Sequence, residues 1–176
     1  YQDVQIIVLN STDNLESQTK YLETQLKNST AKWKIVTCHH SVFSPAGGRD
    51  FKFARENWKP LLDKYNVDLV LNGHDHTYAR GHVPVRTSDG DTTELGTVYV
   101  TSVSGPKQYG LDRKQILAYK SQGYQSDKTA EQTQFFQVIT IEDNTLSYVA
   151  YTVLGDEYDR ATITKDFATG KKTLKD

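Results

Sequence analysis

The chain has 176 residues, with 21 basic and 22 acidic side chains, a formal net charge of −1, 36% hydrophobic residues, one Cys and no Met. That length fits one domain on the usual scale of about 100–200 residues. The charge balance supplies no basic surface for nucleic acid, and no window approaches the ~18 apolar residues of a bilayer span. A lone Cys excludes an internal disulfide framework. The chain opens Tyr1-Gln2-Asp3, without Met or a signal-type apolar segment. It is therefore expected to be a piece of a longer protein, with any targeting signal upstream of Tyr1; a secreted or periplasmic location is a separate expectation.

Residues 4–9 form a short β-branched apolar run that reads as a buried strand. Leu15, Tyr21, Leu22 and Leu26 then recur at roughly helical spacing, with Asp13 or Asn14 as the candidate N-cap. Residues 33–38 repeat the strand signal, and residues 41–50, with Pro45, Gly47 and Gly48, read as a long flexible loop. Phe53, Trp58, Leu61, Leu62 and Tyr65 mark a second helix, which Pro60 splits into two short pieces. Residues 67–71 give a third strand. Strand, helix, strand, helix, strand is the pattern of an α/β sheet whose functional loops leave the carboxyl ends of the strands.

The pattern changes after Gly96. Strands are predicted at residues 97–103, 135–141 and 146–154, with a hairpin turn at 142–145 and a further edge strand at 157–164. Residues 104–133 are polar and aperiodic and receive no assignment. Residues 1–164 are read as one folded unit, and residues 165–176 as a polar tail or linker.

The chemistry lies in the histidines. Four of the five fall into two clusters, His39-His40 and His74-Asp75-His76, each directly after a predicted strand. Neutral imidazoles suit Zn, Fe or Mn, and ligands on strand-end loops converge where parallel strands open outward. A structural His pair is the commoner reading of one such cluster, but two at strand ends favour a metal. Gly73 is expected to let the chain turn sharply beside the ion. Cys38 is read as a core residue and His82 as a surface histidine. Asn10-Ser11-Thr12 and Asn28-Ser29-Thr30 match the glycosylation sequon, a pattern that also arises by chance.

Val36-Thr37-Cys38-His39 and Asn72-Gly73-His74-Asp75-His76 resemble the V-x-x-H and G-H-x-H elements of the calcineurin-like metallophosphoesterases. The surroundings are most similar to the purple acid phosphatase branch: Trp33-Lys34-Ile35-Val36, His39-His40-Ser41-Val42-Phe43-Ser44, Thr77-Tyr78-Ala79-Arg80 and Ser104-Gly105-Pro106-Lys107. The resemblance implies the carboxyl-terminal half of an αββα sandwich, a βαβαβ unit followed by antiparallel strands. It implies hydrolysis of a phosphate ester by two metal ions (Fe, Zn or Mn), His39 and His74 on one and His76 on the other.

The family's D-x-G or D-x-H, G-D-x-x-Y and G-N-H elements do not occur, and the one Gly-Asp pair outside the polar loop, Gly155-Asp156, follows the histidines in the wrong order. The chain is thus expected to lack an amino-terminal half that supplies oxygen ligands, and alone to hold one ion weakly or none. His40 is a candidate for contacting phosphate or the leaving group, or for packing beside the strand. Arg49 is a candidate phosphate ligand or a solvated loop residue. Asp75 is a candidate for orienting an imidazole, and Tyr78 and Arg80 for lining the substrate side or pinning the loop. The alternatives are a silent phosphoesterase-like module binding a partner or carbohydrate through residues 104–133, and an oxygen-activating iron protein, which the α/β pattern disfavours.

Overall fold

The computed structural model describes residues 2–86 and 93–176. Six strands form the first sheet in the order β1-β2-β3-β5-β4-β6. β1 (Val4–Leu9), β2 (Trp33–Cys38), β3 (Leu69–Asn72) and β5 (Thr93–Thr101) run parallel, and β4 (Tyr78–Arg86) and β6 (Gln125–Ala130) are antiparallel additions. The second sheet is antiparallel, β10-β9-β8-β7, made of β7 (Phe135–Glu142), β8 (Thr145–Thr152), β9 (Glu157–Lys165) and β10 (Lys172–Lys175). The strand predicted at residues 97–103 therefore joins the first sheet, parallel to β3, rather than the later antiparallel set.

Alternation along β2 shows how the layers arise. Val36 and Cys38 face the helices with Leu22, Leu26, Trp58 and Leu62. Trp33 and Ile35 face the second sheet with Phe135, Leu146, Tyr148 and Ile163. A strand buried on both faces must be apolar throughout, and such burial stabilises by roughly 1.5–3 kcal/mol per large side chain. The result is helices, sheet, sheet. β1 departs from this: Ile7 and Leu9 are buried, but Ile6 and Val8 are 63% and 66% exposed, because the second sheet does not extend over them.

α1 (Leu15–Lys27) buries Leu22 and Leu26. Asn14 takes the N-cap position but in a left-handed conformation with no side-chain cap, so the expected capping bond is absent. The second helix does come in two pieces, a π-helical turn at Ala54–Trp58 and α2 (Lys59–Lys64), with Pro60 in the first turn of α2 where its missing N–H costs nothing.

Three expectations need correction. The loop at residues 41–50 is pinned: Gln115 Nε2 donates to the Ser44 and Ala46 carbonyls at 2.8 and 3.0 Å, and Arg55 Nη1 to the Val42 carbonyl at 3.1 Å. The unassigned residues 104–133 hold α3 (Arg113–Ala118), a 3-10 turn (Tyr119–Gln122) and β6. The supposed tail at residues 165–176 carries β10, whose Lys172 is buried and lies 3.3 Å from the fully buried Asp68 carboxylate. Among the described residues no helix is long and apolar enough to cross a membrane.

Candidate metal centre

The parallel order of β1, β2 and β3 brings their carboxyl ends side by side, and the histidine clusters leave β2 and β3 there. Asn72 fastens the two ends together: Nδ2 donates to the Cys38 carbonyl at 3.1 Å and Oδ1 accepts from the Val42 N–H at 3.3 Å. Gly73 does not make the sharp turn. The positive φ falls on His74 (φ 64°), the centre of a γ-turn closed by Asp75 N–H to Gly73 O at 2.7 Å. A Cβ on Gly73 would meet only ordinary contacts, 3.7 Å from the His39 carbonyl oxygen. Such strain in a non-glycine residue persists only where its surroundings hold it.

Three imidazoles cluster here. The His40 ring lies 4.1 Å from that of His74 and 5.1 Å from that of His39, and the His39 and His74 rings are 4.9 Å apart. His39 Nε2 and His74 Nδ1 converge at 3.0 Å. Two nitrogens bound at about 2.0–2.1 Å to one ion stand roughly 3 Å apart, so this pair fits a shared metal. His76 stands to one side, its ring 4.8 Å from Tyr109. Its Nδ1 lies 2.8 Å from the Lys107 carbonyl oxygen, which can only accept, so Nδ1 carries the proton and Nε2 the lone pair.

Burial, reinforced by the charges of its neighbours, pulls the His74 pKa down to about 4, and burial beside His39 also lowers that of His40. His74 is therefore neutral at neutral pH, the state a metal ligand needs. Ser11 Oγ lies 2.9 Å from His40 Nδ1, so any chemistry of His40 falls to Nε2. Cys38 is held as a thiol, its pKa pushed up to about 12 by burial.

Asp75 does not orient an imidazole. Its carboxylate accepts from Arg49 Nε at 3.0 Å, and the Arg49 guanidinium reaches on to His74 and lies over the Tyr109 ring, Cζ 4.7 Å from the centroid. Burial raises the Asp75 pKa, against the Ser41 and Ser44 hydroxyls and Arg49. Tyr78 turns into the core: it is fully buried between the sheets, donating to Asp159 at 2.6 Å beside Tyr148. Arg80 lies there too, its Nε 2.8 Å from Asp159, so both pin the fold rather than line a substrate pocket. His82 is half-buried and 3.0 Å from Asp127, a partner its sequence position did not reveal.

Ser11, Asn72, Lys107 and Tyr109 were missed because each acts through a hydrogen bond or a ring contact that no motif encodes. Among the described residues, no group of three or more His, Cys, Asp or Glu side chains is arranged to hold a metal ion.

A family model described as calcineurin-like phosphoesterase matches residues 4–78. Purple acid phosphatase 4 of Arabidopsis thaliana is 30% identical over 141 residues, covering 77% of this chain and 35% of that protein. An uncharacterised protein of Mycobacterium tuberculosis is 39% identical over 83 residues, 43% of this chain and 15% of its own length. The solved purple acid phosphatase from yellow lupin (Lupinus luteus) seeds superposes with a TM-score of 0.68 at 19% identity, covering 96% of this chain and 32% of that one. The chain spans between 15% and 39% of the curated relatives it matches. With two histidine elements at adjacent strand ends, the sequence kinship and the shared fold agree: the chain is similar to the calcineurin-like phosphoesterases over residues 4–78 and, over more of its length, to the purple acid phosphatases.

Proposed function

We propose that this chain supplies the imidazole ligands of a two-metal centre that hydrolyses phosphate esters, His39 and His74 serving one ion and His76 the other. The observation that carries this is the 3.0 Å convergence of His39 Nε2 and His74 Nδ1 at the ends of two adjacent parallel strands. The remaining ligands, oxygen donors above all, come from residues outside this chain, which is a carboxyl-terminal part of the catalytic domain. Such a pair of ions (Fe, Zn or Mn) polarises the ester and lowers the pKa of a bound water.

The chain's own residues hold and orient. The Lys107 carbonyl fixes the His76 tautomer with Nε2 unprotonated. Ser11 fixes His40, which offers Nε2 to phosphate or the leaving group. Arg49, braced by Asp75, is the phosphate-binding cation. The full-length protein is exported, to the periplasm or beyond the cell.

The rival is a silent binding module, favoured by the absence of a three-ligand cluster among the described residues. Against it, residues 107–109 clip onto His76 through its ring and its carbonyl, which serves a site rather than a separate surface. The test is hydrolysis of p-nitrophenyl phosphate by the full-length protein. His39→Ala and His74→Ala are expected to lower kcat/KM at least about a hundredfold, and a chelator to do the same. Unchanged metal-dependent turnover in both variants sinks the ligand assignment.

A further inference from the structure

Arg49 and a metal ion compete for the same histidine. The guanidinium is held at three points: Nε donates to Asp75 Oδ1 at 3.0 Å, Nη2 donates to the His74 carbonyl at 3.2 Å, and the plane lies over Tyr109. Nη2 also stands 2.6 Å from His74 Nε2. A guanidinium nitrogen only donates, so Nε2 is the accepting nitrogen and, in a neutral ring, Nδ1 carries the proton. A metal at His74 ends that bond whichever nitrogen takes it. Ligation through Nε2 needs the space Nη2 fills. Ligation through Nδ1 puts the proton on Nε2, which then faces a donor.

The other anchors survive this exchange, because neither Asp75 nor the His74 carbonyl involves the imidazole. Asp75 has a fully buried side chain and that of Arg49 is 27% exposed, so the brace is rigid and the guanidinium edge accessible. The released N–H needs an acceptor beside the ion. A phosphate oxyanion supplies one, since it can accept from a guanidinium and bind a cation together.

We propose that Arg49 couples metal and phosphate binding: it opposes the ion at His74 when phosphate is absent and reinforces it when phosphate is present. This rests on the metal role of His39 and His74 proposed above. Coupling is reciprocal, so phosphate must tighten the metal as much as the metal tightens phosphate.

The test is Zn²⁺ affinity of the full-length protein, measured by competition with a chromophoric chelator, with and without inorganic phosphate. In the wild type, phosphate is expected to tighten Zn²⁺ binding on the order of tenfold. Arg49→Ala is expected to bind Zn²⁺ about severalfold more tightly without phosphate and to lose most of the phosphate gain. An undiminished phosphate gain in Arg49→Ala overturns the proposal, and so does weaker Zn²⁺ binding in both conditions, the mark of a merely structural arginine. His74→Ala tests the underlying reading separately: wild-type Zn²⁺ affinity in that variant removes the metal site itself, whereas its loss leaves the Arg49 comparison to decide.

Discussion

His74 combines a ligand's chemistry with a backbone that disfavours any side chain. Its φ of 64° lies where a Cβ crowds the following carbonyl, at a cost of roughly 1–2 kcal/mol. His74→Gly and His74→Ala lose the same ring contacts, so the difference between them isolates the backbone. His74→Gly is expected to be the more stable by about 1 kcal/mol in urea denaturation of the metal-free protein. Equal stabilities would show that the γ-turn is unstrained. The gathering of His39, His40 and His74 was legible because each histidine motif directly follows a strand. The partner of Asp75 was not, since a residue between two histidines could face either way, and its buried carboxylate meets Arg49 rather than an imidazole.

Among the elements, the strands with regular apolar alternation were legible and those with charged interiors were not. β4 contains Arg80, Gly81, His82 and Pro84, a composition that reads as loop. Its burial is possible because Asp159 of the second sheet and Asp127 of the adjacent β6 meet Arg80, partners 79 and 47 residues distant in sequence. β10 is the same case. Lys172 donates to the Val67 carbonyl at 2.9 Å and faces Asp68, with Lys165 on the same carboxylate and Lys34 nearby.

Burial, with the repulsion of Lys165 and Lys34, outweighs the attraction of Asp68 and brings the Lys172 pKa down to about 8. The unfolded chain keeps that proton up to the ordinary lysine range near 10.5, so the unfolded state binds more protons between the two values and folding gains stability as pH rises through them. The Cys38 thiol and the buried tyrosines push the other way, because burial raises their pKa values. Comparison with Lys172→Met removes those shared contributions. The stability of wild type relative to Lys172→Met is expected to rise by on the order of 1–2 kcal/mol from pH 8 to pH 10. A flat difference between the two denaturation series would count against the buried ammonium.

On the scale of the molecule, an α/β sheet was legible from the strand and helix patterns and its sandwich layers only from the family resemblance, and the allotment of strands to sheets was not legible. β5 joins the first sheet and β7 the second, and between them lies a polar stretch whose helix and strand carry no strong period. The first sheet also outreaches the second, leaving Ile6 and Val8 bare on β1, an edge strand. Edge and apolar face together invite pairing with another chain. Residues 1–176 expressed alone are expected to self-associate at micromolar concentration, and Val8→Lys to return them toward monomer in sedimentation velocity.

The Asp68 carboxylate has a bearing on the order of synthesis. It lies at the start of the central strand, served early by the Lys34 backbone N–H at 2.8 Å, yet the ammonium groups that neutralise it belong to residues 165 and 172. A chain still on the ribosome thus holds its innermost acid without its counter-ions. The first sheet thus keeps an acid at its centre whose two paired ammonium groups arrive only with β9 and β10.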